Sequence, residues 1–437
     1  MTRYDLAYLA LTPVALPGIV YKRIAHGKYR ESLPGMFGRN WQPEERWAHG
    51  SLWVHAVSVG ECVAAKALLP LLRRALPELP CVLTTVTETG QATARSIASS
   101  LADAITYYPA DFSWVVARFL DVYRPRIFVI METELWPNAI EQAASRGSLV
   151  VLANGRISEK SFTSYRRLRS VFRRPLGRIG AFCMQSADDA QRIVEIGAPP
   201  ERVHVTGNCK FDVPYAQPDA AQLAHLRDML GIPPGAPLIV VGSTHPGEEE
   251  IALEAFRRVR ERFRDARLVI VPRHPERFDA VWQQLKATNF VVRRVSDGAQ
   301  NGGPATAMPD VVLVDRMGLL TELYALATVA LVAGSFVPGI GGHNLLEAAI
   351  HGVPVVYGPH MHKQPELTRI LSPAQGGIVA DRATLGDTLA ALLADPDLRW
   401  RHGELVRTAA CSQQGAARKT VEIITSLYEG RADHESR

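Results

Sequence analysis

LWVHAV (52–57), CVLTTV (81–86), AITYY (104–108), RIFVI (126–130), LVVLA (149–153) and AFCMQ (181–185) are six short apolar runs, each separated from the next by a helical pattern. Strands alternating with helices are the mark of a parallel sheet with crossover helices. A second alternation follows the loop DVPYAQPDA (212–220), with LIVVG (238–242), RLVIV (267–271), FVVRRV (290–295), VVLVD (311–315), VALVAG (329–334) and VPVVYG (353–358) as its strands. The expectation is an α/β protein with two doubly wound, Rossmann-like domains whose strand ends face a central cleft, where ligands bind such folds. Its parts are an apolar start (1–24), a first domain (25–212), a Pro-rich linker (213–236), a second domain (237–412) and a terminal helix and tail (413–437). A helical pattern over 385–428, broken near Pro396, is expected to pack back across the junction. Loops are expected at 42–50, 296–309 and 336–342.

A chain of 437 residues suits two cores. Apolar residues at 47% and charged residues at 21% argue against long disorder. The net charge is only +5, but basic residues cluster at Lys22, Arg23, His26, Lys28 and Arg30, and again at Arg166, Arg167, Arg169, Arg173, Arg174 and Arg178. Such clusters suit an anionic surface, and no nucleic-acid motif accompanies them. Cys62, Cys81, Cys183, Cys209 and Cys411 form no CxxC pair, which fits a reducing compartment and suggests neither zinc nor disulfides.

The apolar run LAYLALTPVALPGIV (6–20) ends at Tyr21-Lys22-Arg23. It is shorter than the roughly 20 residues a spanning helix needs, and Pro13 and Pro17 interrupt it. No Ala-x-Ala site closes it as a signal peptide would. It reads as a membrane anchor, and the basic residues after it leave the following domain cytoplasmic.

Chemistry-bearing residues gather where strands end. HAVSVGE (55–61) puts Glu61 on the first turn of a helix, where it can act as a general base or simply complement the helix dipole. METELWPN (131–138) brings Glu132 and Glu134 ahead of a helix that Pro137 starts, and NGRIS (154–158) and TGNCKFD (206–212) supply Arg156 and Lys210. In the second half, Gly242-Ser243-Thr244-His245 is expected to leave backbone amides open to an anion. The prolines of Pro272-Arg273-His274-Pro275 aim Arg273 and His274. In GSFVPGIGGHNLLEA (334–348) the glycines bring amides close to an anion, with a helix expected from about His343. Asn344 and Glu347 then share its face, and Glu347 can accept from ribose hydroxyls.

Taken together, HAVSVGE, METELWPN, NGRIS, TGNCKFD, GSTHPGEE, VPRHPER, DRMGLL and GSFVPGIGGHNLLEAA, in this order, resemble the Kdo transferases of lipopolysaccharide assembly over almost the whole chain. The resemblance implies the GT-B fold and a metal-independent, cofactor-free, inverting transfer of Kdo from CMP-Kdo to the glucosamine disaccharide of lipid IVA at the cytoplasmic side of the inner membrane. It implies Glu61 as base, with Glu132 and Lys210 stabilising the transition state. Arg273 and His274, Met317, Gly318 and Leu319, and the stretch Gly342, His343, Asn344, Leu345, Leu346 and Glu347 would bind CMP. YRESLPGMFGR (29–39) departs from the basic pattern expected there. The competing readings are a GT-B enzyme or epimerase using a UDP- or GDP-sugar, and an inactive membrane scaffold.

Overall fold

The structure, a computed structural model, describes residues 1–26, 29–213, 215, 217–298 and 308–435. Most of the expected loop at 296–309 lies outside these residues, as do Lys28 and the side chains of Lys22 and His26. The chain divides into two compact units, Met1–Pro214 with Gln413–Arg437, and Tyr215–Ser412.

In the first unit the six apolar runs become β1 (Ser51–His55), β2 (Cys81–Thr85), β3 (Ala104–Tyr107), β4 (Pro125–Met131), β5 (Leu149–Gly155) and β6 (Ala181–Met184). A further strand, β7 (Val203–Val205), joins at the edge, giving the all-parallel order β3-β2-β1-β4-β5-β6-β7. Both faces of this sheet are covered. Leu52 and Val54 of β1 enter one core with Val129 and Val151, whereas Trp53 enters the other with Phe128, on which it stacks at 3.7 Å. Successive side chains of a strand point to opposite faces, so a strand buried on both sides must be apolar throughout.

The helical pattern at 385–428 resolves into three helices, Leu385–Ala394, Pro396–Cys411 and Ala416–Glu435. The last belongs to the first unit, where Ala416, Ala417, Val421 and Ile424 are buried in the core beside Leu52. Its first turn is capped from afar: Asp212 accepts from the amides of Gly415 (2.5 Å) and Ala417 (2.6 Å). That satisfies donors a helix start otherwise leaves orphaned.

The second unit repeats the architecture with β8 (Leu238–Thr244), β9 (Arg267–Pro272), β10 (Val292–Arg294), β11 (Val311–Leu313), β12 (Val329–Val332), β13 (Val355–Tyr357) and β14 (Ile378–Val379), in the order β10-β11-β9-β8-β12-β13-β14. The stretch read as a linker is not bare chain. It carries the helix Ala220–Leu230, closed at its start by a capping box between Asp219 and Gln222, and Leu226 and Leu230 are buried. The stretch at 42–50 is likewise anchored, with Trp41 and Trp47 buried.

Strand order reverses between β1 and β4 in one sheet and between β8 and β12 in the other. A crevice opens at the carboxyl ends of such strands because their connections leave in opposite directions. The segments following these four strands are therefore the places to look for a site.

The apolar start forms the helix Arg3–His26. Pro17 removes a helical N–H and its ring crowds the carbonyl of Pro13, which accounts for a 56° bend between Arg3–Val14 and Leu16–Ala25. Among the described residues no single helix is long and apolar enough to cross a membrane, and these two segments reach that length only together. Leu6, Leu11, Val14 and Ile24 are all exposed.

Candidate active site

After β1 the chain turns at Ser58 and enters the helix Val59–Ala75. Glu61 sits in the first turn but is only 6% exposed. One carboxylate oxygen accepts from the Val57 amide (2.7 Å) and the other from the Ser58 hydroxyl (3.0 Å). Burial pushes its pKa up to about 7, and the charges of Glu132 and Glu134 push the same way against those two hydrogen bonds. Glu61 thus sits where an acidic residue complements a helix start, and its burial lifts its pKa toward the range that suits a base near neutrality.

Across the switch point, β4 is followed at once by Glu132, whose φ of 54° is left-handed. A non-glycine residue there is strained by about 1 kcal/mol or more. Asn154, at the end of β5, shares the feature with φ 56°. Glu132 accepts a hydrogen bond from Lys210 Nζ at 2.7 Å, both side chains remaining partly accessible. Lys210 is delivered by a short turn, Cys209–Asp212, in which Asn208 accepts from the Lys210 amide and Asn154 from the Cys209 amide. The lysine reaches the helix that bears Glu61, since a Cβ added at Gly60 would stand 3.6 Å from Nζ. The structure therefore brings Glu61, Glu132 and Lys210 together. Glu134 is partly buried, and burial raises its pKa. It does not cap the following helix Pro137–Ser145, because that role falls to Asp111, which accepts from the amides of Asn138 (3.1 Å) and Ala139 (2.8 Å). Arg156 is exposed and meets Thr133 through its backbone.

In the second unit two expectations are corrected. The helix expected from His343 is the single turn Leu346–Ala349, because Asn344 Oδ1 accepts from the Leu346 amide (3.1 Å) and holds a turn there instead. A helix this short has little dipole to offer an anion. The amides expected to be open after β8 and β12 are also partly taken: Glu248, 2% exposed, accepts from His245 (2.9 Å), Gly334 (2.7 Å) and Phe336 (3.0 Å). The anion in this nest is the protein's own. The Gly342 amide donates to the Gly334 carbonyl, and Leu345 and Leu346 are buried in the core, so their side chains are not available to a ligand.

What remains is a cavity of about 290 Å³ lined by Ser243, Arg273, Arg316, Met317, Gly318, His343, Asn344 and Glu347, with Tyr324 among its other walls. Asn344 also donates to the Tyr215 hydroxyl at 2.9 Å. Burial raises the pKa of Glu347. His343 stacks on His245, their Nε2 atoms 2.8 Å apart, and burial with the neighbouring positive charges holds its pKa down at about 4. His274 is half exposed beside His245, with ring centroids 5.5 Å apart, and Leu319 lines a separate, neighbouring cavity. Among the described residues no three His, Cys, Asp or Glu side chains are placed to hold a metal ion.

Sequence reasoning gave no role to Arg316, although it lies inside DRMGLL, nor to Asp111, Tyr215 and His245. Arg316 carries a detectable signal, a cation at the end of an apolar run. Asp111 carries none, since its partners lie 27 and 28 residues away.

A family model described as 3-Deoxy-D-manno-octulosonic-acid transferase (kdotransferase) matches residues 31–213. The chain is 33% identical to a 3-deoxy-D-manno-octulosonic acid transferase of Chlamydophila psittaci, over 91% of this chain and 89% of that one. It is 34% identical to one of Bordetella pertussis (96% and 98%) and 30% identical to one of Haemophilus influenzae (98% of each). Among solved structures, a UDP-GlcNAc 2-epimerase of Neisseria meningitidis is similar at a TM-score of 0.57 and 13% identity, covering 86% of this chain and all of that one. A glycosyltransferase of Rickettsia africae is similar at 0.55 and 12%, covering 87% and 98%. These last two likenesses are of fold alone, and the fold is GT-B.

Proposed function

We infer the reaction from one premise: the chain belongs to the 3-deoxy-D-manno-octulosonic acid (Kdo) transferase family. It is a glycosyltransferase that transfers Kdo in lipopolysaccharide biosynthesis. We propose further that the donor is CMP-Kdo, that the acceptor is the glucosamine disaccharide of lipid IVA, and that transfer inverts the anomeric centre and releases CMP. Glu61 takes the proton of the acceptor hydroxyl as its oxygen bonds to the Kdo anomeric carbon. The bond from that carbon to the CMP phosphate oxygen breaks with its electron pair on the phosphate. Lys210, held by Glu132, offsets negative charge developing beside the reacting atoms without a metal. In the second unit Arg273 and Arg316 suit the donor's phosphate or carboxylate, and Glu347 suits ribose hydroxyls. The apolar helix Arg3–His26 holds the enzyme at the cytoplasmic side of the inner membrane.

The observation that carries this reading is Glu61, buried at a switch point with a pKa near 7 beside the Glu132–Lys210 pair. Mass spectrometry of products from CMP-Kdo and tetraacylated acceptor tests it. Glu61→Gln should lose about 10²–10⁴-fold in rate, and an active variant would remove Glu61 as base. Since the fold is shared with an enzyme named for a UDP-sugar, calorimetric titration with CMP and UDP checks the donor. Tighter binding of UDP would overturn it.

A further inference from the structure

The amino-terminal helix does more than carry apolar side chains. Its first two turns are tied into the interior of the first unit through hydrogen bonds that converge on Asp111, Ser113 and Asn138, at the start of the helix that follows the segment bearing Glu132 and Glu134. Asp5 is fully buried, and its carboxylate accepts from the Ser113 amide (2.8 Å), the Ser113 hydroxyl (2.6 Å) and the Asn138 side-chain amide (3.1 Å). Thr2 donates its hydroxyl to Asn138 Oδ1 at 2.7 Å, and Tyr8 donates to Asp111 Oδ2 at 2.8 Å. Asp111 is the residue whose carboxylate caps the helix Pro137–Ser145, and its backbone carbonyl also accepts from Asn138 Nδ2 at 2.5 Å.

Only five residues separate Asn138 from Glu132, whose φ is strained. A strained turn keeps its shape only while the structure on both sides fixes it. On one side it is fixed by β4 and by the Glu132 amide, which donates to the Ala153 carbonyl at 2.9 Å. On the other it is fixed by the capped helix start, and hence by Asp111, Asn138 and the amino-terminal helix. A buried network of this kind has full effect only when every member is satisfied.

We propose that the amino-terminal helix is a strap that positions the Glu132–Glu134 segment for catalysis, with Tyr8, Asp5 and Asp111 as positioning residues. Seating of the membrane-facing helix is thereby coupled to the geometry of Glu132 and Lys210, and to the two carboxylates whose charges act on Glu61. This rests on the reading of Glu61, Glu132 and Lys210 given above.

Tyr8→Phe is the informative variant, because it deletes one hydroxyl and keeps the ring that packs edge-on against Phe112. In the full-length enzyme, with CMP-Kdo and detergent-dispersed tetraacylated acceptor, kcat should fall about tenfold with the KM for donor unchanged. The acid limb of the kcat/KM profile should move to lower pH, because Glu132 and Glu134 relax away from Glu61. Thr2→Val should do the same more weakly. Wild-type kcat and an unmoved acid limb in Tyr8→Phe would overturn the strap, as would loss of activity matched only by loss of folded protein in thermal melts. Glu132→Gln separates this result from the catalytic reading. If that variant is active, the reading fails; if it is inactive while Tyr8→Phe behaves as wild type, only the strap fails.

Discussion

Glu61 and Glu248 occupy corresponding places, each on the first turn of the helix that follows the central strand at a switch point. Both are buried, and burial raises the pKa of both. They differ in what they hold. Among the described residues Glu61 bonds to Val57 and Ser58, within its own turn. Glu248 bonds to His245 nearby but also to Gly334 and Phe336, 86 and 88 residues further along the chain. Protonating Glu61 weakens a local turn, whereas removing Glu248 unties the two loops that meet at its switch point. Glu61 is tied within its own turn, which suits the proton transfer proposed for it, and Glu248 is a fastening between distant loops.

Glu248→Ala should break that contrast most sharply. It strands three amides, each costing about 1–3 kcal/mol if left buried and unpaired, so a net loss of about 3–5 kcal/mol is expected after partial rehydration. The measurement is denaturant unfolding of the second unit. A loss below about 1 kcal/mol would show that water substitutes freely and that the nest is not closed.

Lys210→Met sharpens the first-unit side. Losing a positioned cation should lower kcat about 10²-fold. With Glu132 left uncompensated, the charge near Glu61 becomes more negative and its pKa rises further. The acid limb of the kcat/KM profile should then move to higher pH, opposite to the shift expected from Tyr8→Phe. Movement of the two limbs in the same direction would contradict the electrostatic coupling among these groups.

The strands legible in the sequence were those buried on both faces, such as RIFVI and LVVLA. β7, with Val205 half exposed, and the two-residue β14 left no apolar run to find. Glu61 and Glu132 stood out because each follows an apolar strand within a few residues, and Lys210 because it lies in TGNCKFD, one of the motifs that carry the family resemblance. The reading failed where the outcome hung on distant partners. The open amides at 242–245 and 334–336 were a fair inference from glycines and a helix start, but Glu248 takes those of His245, Gly334 and Phe336 through contacts that spacing does not encode. The helix onset at His343 was misplaced for a local reason, since Asn344 competes for the Leu346 amide and wins.

The smallest expected effect concerns stability rather than rate. The folded pKa of Glu61, about 7, lies above its ordinary value of 4.5, so between these values the folded state binds more protons than the unfolded chain. Stability must therefore fall as pH rises through that window, the reverse of a salt-bridged carboxylate. Above pH 7 the buried, ionised Glu61 costs on the order of 1–3 kcal/mol. Gln keeps the shape and an acceptor for Val57 or Ser58 but cannot ionise. Glu61→Gln should therefore melt like wild type near pH 5 and several degrees above it near pH 8, in the first unit alone. Equal melting temperatures at both values would mean that Glu61 ionises without cost, and would remove the electrostatic reason for its acting as a base near neutrality.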